Sequence, residues 1–195
     1  MKKVLLLGDS IRLGYQEIVK ELLKEEYEVV FPEDNGRFAA YTLWQVNQMF
    51  REHPDIALVH WNNGYWDLNP EAPMNVPVHP IEEYAHFLRR IALFVRSQGA
   101  EVIFATTTPI LEKEKVDVLT GFEADITYDN AYVASYNDAA KAVMEELGVE
   151  VNDLFALCSE DARFYKCDDL LHLTEEGSHK CAEAIAQKVR AALEK

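Results

Sequence analysis

Five short β-rich runs, at residues 4–7, 27–31, 56–61, 101–106 and 149–154, each lie near the start of a stretch with helical spacing. A chain that alternates strand and helix in this way returns to the same sheet by crossovers, so the strands run parallel and helices cover both faces. The alternation therefore predicts an α/β protein built on a five-stranded parallel sheet. After the first run, Ile11, Tyr15, Ile18, Val19, Leu22 and Leu23 share one helical face. Tyr84, Leu88, Ile91, Ala92 and Val95 mark a second helix over 81–95, and 132–147 reads as a third. The last helix is expected to start near Thr174 as its N-cap. Glu175 and Glu176 then occupy the first turn, where the helix dipole favours negative charge.

Two stretches break the pattern. Residues 69–80 hold four of the seven prolines, and 112–130 are charged and without clear periodicity. Both read as long loops after the third and fourth strands, at the carboxyl edge of the sheet, where open α/β folds bind ligands. With 195 residues, 49% of them hydrophobic, and neither repeats nor a linker, the chain is expected to be one domain over 1–195.

A net charge of -15 opposes binding to nucleic-acid phosphates or to an anionic membrane surface. No apolar run approaches the roughly 20 residues that span a bilayer. The apolar start, Val4-Leu5-Leu6-Leu7, stops at Gly8-Asp9, short of the roughly seven residues of a signal peptide, so a cytoplasmic protein is expected. Cys158, Cys167 and Cys181 are odd in number and lack CxxC spacing, which suggests idle thiols and neither a disulfide framework nor a zinc knuckle. His53, His60, His79, His86, His172 and His179 show no HExxH spacing, and neither a metal nor another cofactor is expected.

The junction Gly8-Asp9-Ser10 ends the first strand and enters a helix. A serine there has its backbone N–H unpaired in the positive field of the helix end, where an oxyanion can be held. The same residues also suit a plain N-cap. A nucleophile needs a base, and "DDLLHLTEEG" supplies Asp169 three residues before His172. A short turn would let the carboxylate orient the imidazole and leave Nε2 for the serine proton. Asp168 could serve in place of Asp169, and His172 taken alone fits a solvated loop histidine.

In "LVHWNNGYWDL" the third strand ends at Asn62-Asn63-Gly64. An asparagine amide there could donate to an oxyanion, a contribution on the order of a hundredfold in rate, although an ordinary Asn-Gly turn uses the same letters. "EDNGRFAAYTL" leaves the second strand, and its backbone N–H groups between residues 36 and 40 offer another donor.

Together these segments resemble the SGNH hydrolases, also called GDSL-type esterases and lipases. The matching pieces are "GDSI", "NGRFAAYTL", "NNGYWD", "TTTP" at 106–109 and "DLLHLTEEG", in the family's order across the whole chain. The resemblance implies a flavodoxin-like three-layer α/β/α sandwich with its site along the carboxyl edge of the sheet. It implies Ser10 as nucleophile, His172 as general base and then acid, and Asp169 as the orienting carboxylate. The oxyanion hole would draw on the Ser10 N–H and on a backbone N–H at Gly36 or, aligned on Thr42, Ala40. The third block departs from the family's Gly-x-Asn: counting from the strand start sets Asn62 at its glycine and Gly64 at its asparagine, a one-residue slip sets Asn63 at the asparagine, and both Asn62 and Asn63 are kept as candidate donors with Asn63 favoured. No G-x-S-x-G elbow occurs.

Trp61, Tyr65 and Trp66 flank the asparagines and are candidates to stack on a sugar or line an acyl pocket. The expected substrate is a small soluble ester, with O-deacetylation of a carbohydrate or related metabolite leading and a short-acyl thioesterase next. The rival from another class is a non-catalytic carbohydrate-binding module on the same fold. A phosphate binder at Gly8-Asp9-Ser10 is disfavoured because no GxGxxG or P-loop follows and Asp9 would repel the anion.

Overall fold

The computed structural model describes residues 1–71, 75–111, 129–165 and 170–194. Its main sheet has five parallel strands in the order β2-β1-β3-β6-β7: β1 (Lys2–Leu7), β2 (Tyr27–Val30), β3 (Ile56–Asn62), β6 (Glu101–Ala105) and β7 (Glu150–Asn152). Val4 to Leu7 are fully buried, because a strand inside a parallel sheet is covered on both faces and every side chain must be apolar. The register sets Leu7 beside Trp61 and Asn62 beside Ala105, so β1, β3 and β6 end at one edge.

On one face α1 (Ser10–Leu23) and α7 (Glu175–Leu193) pack on each other. On the other face α2 (Ala39–Glu52) packs on α4 (Ile81–Ser97), and α4 on α5 (Asn130–Leu147). This is the three-layer α/β/α arrangement expected from the alternation. Of the apolar face expected on the first helix, Ile11, Tyr15, Val19 and Leu23 are buried in α1 and Ile18 partly so, whereas Leu22 is exposed. Thr174 caps α7, its hydroxyl accepting from the Gly177 N–H at 3.2 Å.

The strand reading ran one or two residues long in places. β2 stops at Val30, two residues before Pro32, which has no N–H for a ladder, and edge strand β7 is only three residues long. The region 69–80 is not wholly loop. After the short α3 (Tyr65–Leu68), β4 (Pro70–Glu71) pairs antiparallel with β5 (Val76–Pro77). Of the second expected loop, 112–128 lie outside the described residues. Asp129 and Asn130 instead open α5, with Asp129 accepting from the Tyr132 N–H at 2.9 Å. In the last quarter, α6 (Leu154–Cys158) brings Cys158 to within 3.4 Å of Cys181 on α7, Sγ to Sγ, as free buried thiols. Cys167 lies outside the described residues.

Candidate active site

The turn that carries Ser10 is built by three consecutive residues with different tasks. Gly8 adopts φ +148, and a Cβ on it would lie 2.1 Å from Asn62 Oδ1, so only glycine lets the end of β3 come this close. Asp9 caps α1, its Oδ1 accepting from the Ile11 N–H at 3.0 Å and from Asn62 Nδ2 at 2.8 Å. Ser10 follows as the first helical residue. Its own N–H meets no acceptor among the described residues, which leaves a donor pointing out of the helix end. The Asp9 carboxyl is fully buried and its Oδ2 has no partner among the described residues. Burial pushes it up to about 6, against the pull of the bonds from Asn62 and Ile11.

Arg12, one turn into α1, is fully buried and reaches the following loop. Its guanidinium donates to the carbonyls of Pro32 at 2.8 Å and Asp34 at 2.7 Å, and to Gln16. The loop after β2 is thus fastened to the helix that carries the serine. Burial lowers the Arg12 pKa, yet four contacts to oxygen keep the charge tolerable in the core.

His172 comes from the far end of the chain. Its segment lies between α6 and α7, and the bridge between Tyr165 and Leu173 and the bond from the Leu111 N–H to the Leu170 carbonyl at 2.7 Å hold it at the sheet edge. His172 Nε2 lies 2.8 Å from Ser10 Oγ, a hydrogen bond in reach for proton transfer. Beside them is a cleft of about 270 Å³, lined by Ser10, Leu13, Gly14, His172, Leu173 and Ser178 among others. Asp169 and Asp168, the expected orienting carboxylates, lie outside the described residues.

The expected oxyanion donors are placed unequally. The Gly36 N–H donates to the Gly8 carbonyl at 2.7 Å, and a Cβ there would lie 2.4 Å from that oxygen. Gly36 therefore joins two loops and is corrected as a donor. Ala40 sits in the first turn of α2, where the Ala39 N–H goes to Asp67 and those of Tyr41 and Thr42 to the Phe38 carbonyl. That leaves the Ala40 N–H without an acceptor among the described residues. Asn62 is also corrected: its Nδ2 is held by Asp9 and its Oδ1 accepts from Tyr15 Oη at 2.9 Å. Asn63, the favoured asparagine, directs Nδ2 to the Arg37 carbonyl at 3.0 Å and to Thr42 Oγ1 at 2.9 Å. Its Oδ1 is buried without a partner, and its carbonyl accepts from Tyr84 and Thr107. In this geometry both asparagines hold loops in place and neither amide is open.

No family model matches the chain. Over 204 residues it is 24% identical to a GDSL esterase/lipase of Arabidopsis thaliana, an alignment that covers 97% of this chain and 79% of that protein. Among solved structures, a lipase/acylhydrolase from Enterococcus faecalis superposes with TM-score 0.79 at 17% identity, over 98% of this chain and 97% of that one. An acetyl xylan esterase superposes with TM-score 0.75, also at 17% identity, over 96% and 99%. In sequence the chain is similar to a GDSL esterase/lipase, and it shares the fold of these solved esterases and acylhydrolases.

Of the three aromatics expected to bind substrate, one reaches the surface. Trp61 is fully buried, packed edge-on against Phe104 with ring centroids 5.1 Å apart, and is corrected to a core residue. Tyr65 is 4% exposed and donates its hydroxyl to the Thr108 carbonyl at 2.5 Å, so it too serves packing. Trp66, in α3, is 41% exposed. Sequence reading missed Arg12, Tyr15, Asp67 and His79, four buried polar residues behind the site. Asp67 stands inside the "NNGYWD" block, whose acidic end was quoted but given no role. His79 offered no signal, because its partner is made by folding alone. Among the described residues no group of three His, Cys, Asp or Glu is placed to hold a metal, and no helix is long and apolar enough to cross a membrane.

Proposed function

We propose that this protein is an SGNH hydrolase that cleaves small carboxylic esters through Ser10, with O-deacetylation of a carbohydrate or related metabolite as its reaction. The observation that carries the reading is the 2.8 Å contact of His172 Nε2 with Ser10 Oγ at a helix start whose first N–H is open. In the proposed course His172 accepts the Ser10 proton as Oγ attacks the ester carbonyl. The resulting oxyanion takes the Ser10 and Ala40 N–H groups, two helix-end donors. His172 then protonates the departing alcohol, and water repeats the sequence on the acyl-enzyme to release the acid. Asp169 is assigned the carboxylate that orients His172, on its position three residues upstream.

A cleft of about 270 Å³ suits a short acyl group better than a long chain, and the likeness to an acetyl xylan esterase supports an acetylated saccharide. The exposed Trp66 offers a ring face to such a sugar. The test is hydrolysis of p-nitrophenyl acetate near pH 8 by the wild type and by Ser10→Ala, followed by acetylated xylo-oligosaccharides. Loss of at least about a thousandfold in kcat/KM is expected in the variant. Equal rates in the two proteins would remove Ser10 from the reaction.

A further inference from the structure

A second histidine–carboxylate pair lies buried outside the mechanism above. His79 Nδ1 is 2.6 Å from Asp67 Oδ1, with Asp67 fully buried and His79 8% exposed. A carboxylate is held out of water only where polar partners surround it. Here one of those partners is the first backbone N–H of α2: the Ala39 N–H lies 2.9 Å from Oδ1 and 3.2 Å from Oδ2. The residue at the N-cap of α2 is Phe38, whose side chain can accept nothing. Asp67 thus does from α3, 28 residues downstream, what a local serine or aspartate does at an ordinary helix start.

His79 locks that carboxylate in turn. Its backbone N–H donates to the Asp67 carbonyl at 2.9 Å, its own carbonyl accepts from Tyr136 Oη at 2.8 Å, and its ring stands edge-on to Phe38 at 5.4 Å. The start of α2, α3, the approach to α4, and α5 all converge on the pair.

The next N–H in that same turn belongs to Ala40, the one left open. The loop leading to it is tied to the nucleophile turn through Gly36 and Gly8, and to the end of β3 through Arg37 and Asn63. These bonds fix the loop, Asn63 and the Gly36 carbonyl hold the Thr42 hydroxyl in the first turn of α2, and Asp67 holds the first N–H of the helix. An oxyanion donor has to sit within a few tenths of an ångström of its place to act on the transition state.

We propose that Asp67 and His79 are positioning residues that set the N-terminus of α2 and so hold the Ala40 N–H as the second oxyanion donor. The proposal rests on the acyl-transfer reading. Neither residue is assigned contact with substrate.

Asp67→Ala, Asp67→Asn and His79→Phe would be compared with the wild type in kcat and KM for p-nitrophenyl acetate, in thermal melting, and in the rate at which a p-nitrophenyl phosphonate ester labels Ser10. Asp67→Ala is expected to lower kcat on the order of a hundredfold with KM changed less than about threefold, because the donor acts on the developing oxyanion. Phosphonate labelling should slow in parallel. Asp67→Asn keeps an oxygen for the Ala39 N–H, and its amide can donate to the other tautomer of His79, so it should recover at least about tenfold of the lost kcat. His79→Phe should fall between the two.

Wild-type kcat in Asp67→Ala would overturn the proposal. So would equal losses in Asp67→Ala and Asp67→Asn that merely track the folded fraction at the assay temperature. A wild type that neither hydrolyses the ester nor takes the phosphonate at Ser10 overturns the acyl-transfer reading itself, and this proposal with it.

Discussion

Replacing Asp9 with asparagine removes a carboxyl that the fold keeps wholly out of water, one residue before Ser10. Burial raises its pKa from an ordinary 3.8 to about 6, roughly two units, and each unit corresponds to about 1.4 kcal/mol of differential protonation energy. Below pH 3.8 the folded and unfolded chains both carry the proton. Between about pH 4 and pH 6 the folded chain keeps it while the unfolded chain gives it up, so stability falls as the pH rises through that window. Above about pH 6 both are ionised and the loss is complete, at about 3 kcal/mol.

In Asp9→Asn the amide oxygen still accepts from Ile11 and Asn62, and the new NH2 replaces an oxygen that has no partner among the described residues. The variant therefore carries a fixed offset, about 1–3 kcal/mol for a buried donor without an acceptor, but no titration. Other perturbed groups, such as Asp67 raised by burial and Asp34 held low chiefly by its bond from Tyr41, are common to both proteins and drop out of the comparison. Urea unfolding followed by tryptophan fluorescence at pH 4, 5, 6 and 7 gives the difference directly. The wild type should lose about 3 kcal/mol relative to Asp9→Asn from the first pH to the last. Parallel profiles, within about 0.5 kcal/mol, would refute the claim that the folded carboxyl holds its proton.

Two further outcomes follow from burial. His60 on β3 is fully buried and desolvation pushes it down to about 3. As pH falls below 6.5 the unfolded chain gains a proton that the folded chain refuses, and between pH 7 and pH 4 of the same unfolding series the wild type should lose about 3 kcal/mol relative to His60→Gln. Of the tryptophans beside the asparagines, Trp66→Ala should raise KM for an acetylated xylo-oligosaccharide about fivefold without shifting the melting temperature. Trp61→Ala should instead destabilise the fold by about 3–5 kcal/mol and leave the KM of the folded enzyme unchanged, as a paired melting and kinetic comparison would show.

What was legible in the sequence is what repeats or what lies close along the chain. Buried strands announced themselves as apolar runs because parallel strands must be apolar on both faces, and the Thr174 cap was readable from its own first turn. The neighbourhood of Ser10 and His172 followed from matching blocks at the ends of strands. The misreadings share one cause, that a residue type does not say which way its side chain turns. Asn62 and Asn63 carry the amide an oxyanion needs, yet the close packing of Gly8 against β3 turns Asn62 onto Asp9 and Tyr15. Trp61 lies on β3, a central strand covered on both faces, so either direction of its side chain leads into the core. Asp67 and His79 were illegible as a pair because their contact depends on a hairpin that proline-rich letters concealed.

Ser10 and His172 stand 162 positions apart, and they meet only once α7 has packed against α1. The loops after β1, β2 and β3, by contrast, belong to the first 70 residues and leave the ribosome together, long before the histidine is made. On the proposed mechanism the protein is therefore born inert. A chain cut short before His172, or one whose last helix has not yet seated, presents its serine with nothing to draw off the proton. Hydrolysis becomes a report on completion: a half-made copy is silent in the cell, and the first turnover certifies that both ends of the chain have found each other.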